Sequence, residues 1–147
     1  MKVFIDLEST LIDDFDNLNL LEGNINKIRS FLKILNVKEI LLWSFAIMNQ
    51  EDIKKFNESL KDKLEKALEL KIEILEIEKC FKDVCKANNI SAEPKDLTDI
   101  FLFEPKSELL KQWLIVKGIE DHCLLIDDQV EASVFQKGGL ILQCLKI

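Results

Sequence analysis

The sequence predicts an α/β fold: a three-layer, doubly wound and mostly parallel sheet that forms one domain over residues 1–147. Short apolar runs alternate with helical patterns along the chain, which is typical of βαβ units with right-handed connections. Several of the apolar runs end in acidic or small polar residues, as buried strands do where they open into loops. The 147 residues, 48% of them hydrophobic, suffice for one substantial core.

The first half of the chain is predicted to contain two strands, one helix and a loop. In order, these are a buried strand at 1–5, an acidic loop or small flap at 13–23, a helix at 24–35 and a buried strand at 39–44. The side chain of Asn24 is expected to cap the helix, and Asn36 is expected to end it.

The middle of the chain is predicted to form a helix at 51–68, a strand at 68–74 and a helix at 76–88. The alternation of apolar and charged residues between Leu68 and Ile74 favours the strand. The alternative is one helix that continues to Cys85, because Glu, Lys and Leu are good helix formers. We prefer the strand, because a helix of about forty residues far exceeds the usual length in a compact domain.

The last third is predicted to complete the sheet. Its first elements are a short strand at 99–103, a turn at 104–107 and a helix. They are followed by a strand at 123–126 that leads into acidic residues, a short helix at 129–136 and a last strand at 140–145. The helix should start at Pro105 or Ser107 and close at Gly118. The total is five or six strands and about five helices.

Charge and composition narrow the possible functions. The net charge of −7 disfavours nucleic acid as a partner and argues against attraction to anionic membranes. An anionic phosphorylated substrate stays possible, because a bound metal ion inverts the local field. We find no signal-peptide pattern and no apolar run long enough for a membrane span, so we expect a cytoplasmic location and no membrane partner. The four cysteines are then expected to be reduced core thiols.

Acidic residues follow two of the predicted strands. Asp6 and Glu8 follow the first strand, and Asp127 and Asp128 follow the strand at 123–126. If the two strands are neighbours, these carboxylates meet at one rim of the sheet, where crowded negative charge calls for a cation or a shared proton. Oxygen ligands of this kind suit Mg²⁺ and fit zinc poorly. Taken singly, each stretch can also be an ordinary polar exit from a strand, as can Ser44.

The order of these polar strand ends resembles the haloacid dehalogenase (HAD) superfamily of phosphatase-like hydrolases. That family opens with an apolar strand and Asp-x-Asp-x-Thr, and here the stretch is Asp6-Leu7-Glu8-Ser9-Thr10. Its second motif, a Ser or Thr after a buried strand, corresponds to Ser44. Its third is a Lys near the start of the helix before the last acidic strand, and its fourth corresponds to Asp127-Asp128 with Glu131.

The resemblance implies a Mg²⁺-dependent phosphohydrolase that acts through an aspartyl-phosphate. Asp6 would be the nucleophile. Glu8 would be the general acid/base and would also contribute its backbone carbonyl to the metal. The side chains that would meet the phosphoryl group are those of Thr10, Ser44 and Lys106. The residues that would hold Mg²⁺ are Asp6, Glu8, Asp127 and Asp128, with Glu131 as an alternative to Asp128.

The sequence departs from the family pattern in ways that keep alternatives open. Glu8 and Glu131 stand where Asp is usual. In the commonest form of the family's lysine motif, counting back from Gly118 places the lysine position at Glu104. A shift of two residues is needed to place it at Lys106. The other candidate lysines are Lys95, Lys111 and Lys117. A degenerate relative that keeps the metal site as a binding or regulatory module is therefore the second hypothesis. A receiver-like domain phosphorylated by another protein is a third.

The spacing between Asp6 and Ser44 leaves room for a short flap and one helix, but not for a large cap domain. The resemblance then implies an open site. An open site usually admits a large substrate, such as the phosphate end of a macromolecule, or needs a partner to close it; whether the phosphorylated substrate is a macromolecule or a small molecule stays open.

Overall fold

The computed structural model describes residues 1–93, 96 and 106–147. These residues form one six-stranded sheet of the order β3-β2-β1-β4-β6-β5. The strands are β1 (Lys2–Ile5), β2 (Glu39–Leu42), β3 (Lys71–Ile74), β4 (His122–Asp127), β5 (Ser133–Lys137) and β6 (Leu140–Lys146). All pairs are parallel except that of β5 with β6. The predicted mixed α/β fold with a mostly parallel sheet is confirmed, and it is compatible with a Rossmann-like arrangement.

Five helices are described, and they cover both faces of the sheet. They are α1 (Glu22–Ile34), α2 (Gln50–Ser59), α3 (Lys61–Leu68), α4 (Ile77–Ala87) and α5 (Lys106–Val116). Buried side chains of the first three pack with Val3 and Ile5 of β1, whereas those of α4 and α5 pack with Phe4. Successive residues of a strand point to opposite faces, so β1 divides two apolar cores. Within the part of the chain described, no helix has the length and apolar character needed to cross a membrane.

The parallel register brings the carboxyl ends of three central strands to the same edge. Ile5 of β1 pairs with Leu42 of β2 on one side and with Ile126 of β4 on the other. The residues that follow these positions therefore leave the sheet side by side. Ligands bind at this edge in open parallel sheets, which makes it the place to look for a site.

The predicted helix at 51–68 is in fact two helices, α2 and α3, separated at Leu60. The backbone of Leu60 has φ −129° and ψ −33°, which is outside helical geometry. Its N–H still donates to the carbonyl of Phe56, and its side chain is buried in the same core as Phe56 and Leu64. The apolar spacing therefore continues through the break, and for this reason the sequence pattern did not reveal it.

The predicted short helix at 129–136 is wrong. Residues Ser133–Lys137 form β5, which pairs antiparallel with β6 from Ser133–Cys144 to Lys137–Leu140. Gly138 and Gly139 are the two-residue loop of this hairpin, and Gly138 has φ +59°. Val134 and Phe135 favour strands, and a Gly-Gly pair between apolar residues is a hairpin signal. The sequence interpretation gave too little weight to that signal.

Helix α1 begins at Glu22, and its start is not capped by Asn24 as expected. Leu21 precedes the helix without a side-chain cap hydrogen bond. The Asn24 side chain instead donates from Nδ2 to the carbonyl of Thr10 over 3.1 Å. The N-terminus of α1 is docked on the loop after β1, and this tertiary contact recruits Asn24. The expected end at Asn36 is confirmed by a left-handed φ of +55°.

Three further predictions have separate outcomes. Strand β3 confirms a strand rather than a long continuous helix, and Glu69 ends α3 in the left-handed region. Gly118, with φ +65°, follows the end of α5 as predicted. The predicted strand at 99–103 and the residues Glu104, Pro105 and Lys95 lie outside the described residues.

Candidate functional site

Three aspartates converge at the carboxyl edge of the sheet. Asp6 directly follows β1, Asp127 is the last residue of β4, and the Asp6 N–H donates to the carbonyl of Ile126 over 3.0 Å. One carboxylate oxygen each from Asp6, Asp127 and Asp128 lies within 4.8 Å of the others. Asp6 is 2% exposed and Asp127 is fully buried, while Asp128 is partly buried. The site is therefore a compact acidic cluster with little access to bulk water.

Lys106 is the cation of this cluster. It is the first residue of α5, and its Nζ lies 2.8 Å from Asp6 Oδ1 and 2.8 Å from Asp127 Oδ2. Of the other candidate lysines, Lys111 pairs with Glu108 on the same helix, and Lys117 pairs with Asp83 of α4. Among the described residues, Lys106 is thus the candidate lysine that reaches the aspartates.

Burial and neighbouring charges shift the pKa values in opposite directions. Burial raises the pKa of Asp6 to about 6, the Lys106 ammonium opposes this, and the nearby Asp127 carboxylate adds to it. Burial by itself would lower the pKa of Lys106, but the two carboxylates that contact it raise that pKa above its ordinary value. One lysine ammonium thus stands among three aspartates, so the cluster has more acidic groups than positive charges.

One buried carboxylate oxygen of the cluster, Asp127 Oδ2, can accept a further partner. Asp127 Oδ1 accepts the N–H of Gln129 over 2.8 Å. Asp127 Oδ2 forms the 2.8 Å ion pair with Lys106 Nζ and has no further hydrogen-bond partner in the described part of the chain. A carboxylate oxygen can accept more than one partner, so a hard cation could share Asp127 Oδ2 with the Lys106 ammonium. The donor set of Asp6, Asp127 and Asp128 therefore fits a metal such as Mg²⁺.

Thr10 links the loops that follow β1 and β4. It is fully buried, and its Oγ1 lies 3.4 Å from both Asp6 Oδ2 and Asp128 Oδ1. The same oxygen accepts the N–H of Asp128 over 3.2 Å. A hydroxyl has a single proton, so Thr10 donates to one carboxylate at a time. Its described contacts hold the aspartates in place, and its assignment to substrate binding stays a prediction.

Glu8 contacts the flap rather than the cluster. Its Oε2 accepts the N–H of Phe15 over 2.8 Å. Phe15 is also held from the other side by Lys55 of α2, whose Nζ donates to the Phe15 carbonyl and lies 4.2 Å from the centroid of the ring. The loop over residues 13–20 is thereby fixed between β1 and α2. Gly23, which the sequence interpretation placed in this flap, belongs to α1.

Two other predicted residues make no described contact with Asp6, Lys106 or Asp127. Ser44 is buried at the edge after β2, and its Oγ accepts the N–H of Ala46 over 3.2 Å. Glu131 is exposed. Of the two predicted partners for Asp127, the structure brings Asp128 into the cluster and leaves Glu131 outside it.

The sequence interpretation missed Trp43. This residue follows β2, is fully buried, and donates from Nε1 to the carbonyl of Lys106 over 3.1 Å. A buried tryptophan needs an acceptor for its N–H, so a Trp at the end of a buried strand is a signal that could have been used. The sequence does not reveal which carbonyl accepts.

No match to this chain was found in comparisons with protein-family models, with curated proteins or with solved structures. The function is therefore inferred from the site itself.

Proposed function

We propose that this protein is a Mg²⁺-dependent, HAD-like phosphohydrolase that acts through an aspartyl-phosphate intermediate. The observation that carries the proposal is the buried bridge from Asp6 through Lys106 to Asp127. An anionic nucleophile can meet a phosphoryl group only where positive charge offsets their repulsion, and the Lys106 ammonium supplies such a charge beside Asp6.

In the proposed reaction, one Asp6 oxygen attacks phosphorus, a new P–O bond forms, and the bond to the leaving-group oxygen breaks. Water then attacks the phosphorus of the aspartyl-phosphate, releases inorganic phosphate and regenerates Asp6. Asp6, Asp127 and Asp128 would hold Mg²⁺, with the Glu8 carbonyl as a further oxygen ligand. When bound, Mg²⁺ would neutralise charge on the phosphoryl oxygens and on Asp6.

Lys106 supplies the positive charge that the chain itself brings to the reaction. Its ammonium contacts the nucleophile over 2.8 Å, so it offsets the repulsion between Asp6 and an incoming phosphoryl group. Preorganised charge of this kind is usually the largest single contribution to such catalysis. Thr10 holds Asp6 and Asp128 in register, and Ser44 would donate to a phosphoryl oxygen.

Glu8 would protonate the leaving oxygen and later take a proton from the attacking water. In the described structure Oε2 of its carboxylate accepts the Phe15 N–H, so proton transfer would use Oε1 unless this hydrogen bond breaks. That contact favours the second candidate function, a binding or regulatory module that keeps the metal site without turnover. In that case Glu8 would serve to hold the flap.

The setting proposed for either function is the cytoplasm, with a phosphorylated small molecule or the phosphate end of a macromolecule as ligand. All four cysteines are free and buried, which suits a reducing compartment. The helix and loop between Asp6 and Ser44 supply no large cap, and this supports an open site.

Two measurements together separate these functions. Wild type and Asp6→Asn are assayed with Mg²⁺ on p-nitrophenyl phosphate and on a panel of phosphorylated metabolites, and Mg²⁺ binding is measured by calorimetry. Phosphate release by wild type that is lost in Asp6→Asn supports the hydrolase. Mg²⁺ binding without turnover across the panel supports the module. If wild type neither binds Mg²⁺ nor releases phosphate, both are wrong.

A further inference from the structure

Trp43 joins the end of β2 to the start of α5. Its backbone N–H donates to the carbonyl of Ile5 over 2.9 Å, which places it directly beside Asp6. Its indole N–H donates to the carbonyl of Lys106 over 3.1 Å. One fully buried side chain thus spans from the strand next to the nucleophile to the residue that supplies the ammonium.

A second contact fixes the same ring against the same helix. The rings of Trp43 and Trp113 have centroids 6.3 Å apart and are tilted by 33°. Trp113 lies seven residues after Lys106, which is two helical turns, so both residues are on one side of α5. The helix is therefore held to Trp43 by a directional bond at its first residue and by a ring contact further along.

We infer that Trp43 is a positioning residue: its indole N–H sets the place of the Lys106 backbone, and thereby holds the Lys106 ammonium between Asp6 and Asp127. Lysine has a long side chain with many rotamers, so a defined position for its ammonium requires a defined position for its backbone. A backbone carbonyl oxygen has two lone pairs, so the Lys106 carbonyl can accept the indole N–H in addition to a helical N–H. The consequence for catalysis rests on the proposed function, whereas the effect on Lys106 does not.

The sharpest test removes the N–H and keeps the ring. Tryptophan at position 43 is replaced by 3-benzothienylalanine, in which sulfur takes the place of the N–H group in a ring of nearly the same shape. Position 113 offers a matched control, because the Trp113 N–H is buried and has no hydrogen-bond partner among the described residues. The same replacement at 113 removes no described hydrogen bond. Trp43→Phe provides a simpler second variant.

The readout is the rate of acetylation of individual lysines by N-hydroxysuccinimide acetate in EDTA, followed by mass spectrometry. We expect Lys106 to react about fivefold faster when the donor at 43 is lost, in line with the usual worth of one hydrogen bond. Lys111 on the same helix should keep its rate, as should Lys106 in the control at 113. An unchanged Lys106 rate overturns the inference. So does an equal rise at Lys106 and Lys111, because it would mean that the helix has merely loosened.

Turnover gives an independent readout. If wild type hydrolyses a phosphoester, the variant at 43 should lose about fivefold in kcat with little change in KM, because the misplaced charge matters most in the transition state. A change in KM alone contradicts positioning of the Lys106 charge. If wild type shows no turnover, the proposed function fails, and the acetylation rates still decide the role of Trp43.

Discussion

Lys106 Nζ lies 2.8 Å from Asp6 Oδ1, and this ion pair is nearly sealed from solvent: the side chains are 17% and 3% exposed. A buried charge is tolerated only when it is paired, and Lys106 keeps one carboxylate partner if the other is neutralised. The same ammonium also pairs with a second aspartate, Asp127, so a single counter-charge serves two carboxylates. A bound metal cation would supply further positive charge to these carboxylates.

Loss of the ammonium should destabilise the protein strongly. In Lys106→Met two buried carboxylates lose their counter-charge, and we expect the free energy of unfolding in EDTA to fall by about 3 kcal/mol. The matched control is Lys111→Met on the same helix, which breaks a more exposed pair with Glu108 and should cost less than about 1 kcal/mol. Urea denaturation measures both. Equal losses in the two variants would contradict the importance of the Asp6–Lys106–Asp127 bridge.

Neutralising Asp6 should stabilise the metal-free protein. The pKa of Asp6 is raised from 3.8 to about 6, so between these values the folded protein binds more protons than the unfolded chain. The contribution of Asp6 to the stability of the protein in EDTA should therefore fall as pH rises through this window and stay low above it. A shift of this size corresponds to roughly 3 kcal/mol at most.

The experiment compares Asp6→Asn with wild type by urea denaturation in EDTA. The variant should be the more stable at pH 7.5, and its advantage should shrink towards pH 4. Asp16→Asn, which removes an exposed flap carboxylate, should change stability by less than about 0.5 kcal/mol at either pH. An Asp6→Asn variant that is less stable than wild type at pH 7.5 would show that Lys106 outweighs burial.

Added Mg²⁺ should stabilise wild type through mass action. At a concentration about 100 times the dissociation constant the gain is about 2.7 kcal/mol, visible as a rise in Tm. Asp127→Asn should lose most of this gain, because it removes a buried ligand, and Asp128→Asn should lose part of it. Glu131→Gln is the control that should keep the full gain, since Glu131 is exposed and outside the cluster. If Glu131→Gln loses the Mg²⁺ effect, Glu131 is a metal ligand after all, as the sequence also allowed.

Strands β1, β2 and β4 were predictable because each is a short apolar run that leads into polar residues, and β3 was predictable from its alternation of apolar and charged residues. The meeting of Asp6 with Asp127 follows from the same rule, since parallel neighbours end at one edge. The hairpin of β5 was missed because Gly138 and Gly139 follow a stretch that also fits a helix. The break at Leu60 was missed because the core takes up Leu60 without any change in apolar spacing.

The contacts within the site were harder to predict than its members. The choice of Lys106 over Lys111 or Lys117 depends on which face and turn of α5 meets the sheet edge, and the spacing counted back from Gly118 reached Glu104, which is not a lysine. The Trp43 bond to the Lys106 carbonyl joins residues 63 positions apart. Nothing in the local pattern of either residue specifies such a pairing, which comes from how α5 packs on the sheet.

Glu8 offers the clearest division between the two proposed functions. Glu8→Gln keeps an oxygen that can accept the Phe15 N–H, so the flap should stay in place, but the amide cannot exchange a proton at neutral pH. We expect phosphate release to fall at least about 100-fold while the Mg²⁺-induced rise in Tm stays that of wild type. The complementary variant is Lys55→Met, which loosens the flap from α2 and leaves the Glu8 carboxyl intact. It should leave proton transfer possible and reduce turnover far less. If Glu8→Gln hydrolyses substrate as fast as wild type, Glu8 is not the acid/base, and its role is the hydrogen bond to Phe15 that Gln preserves.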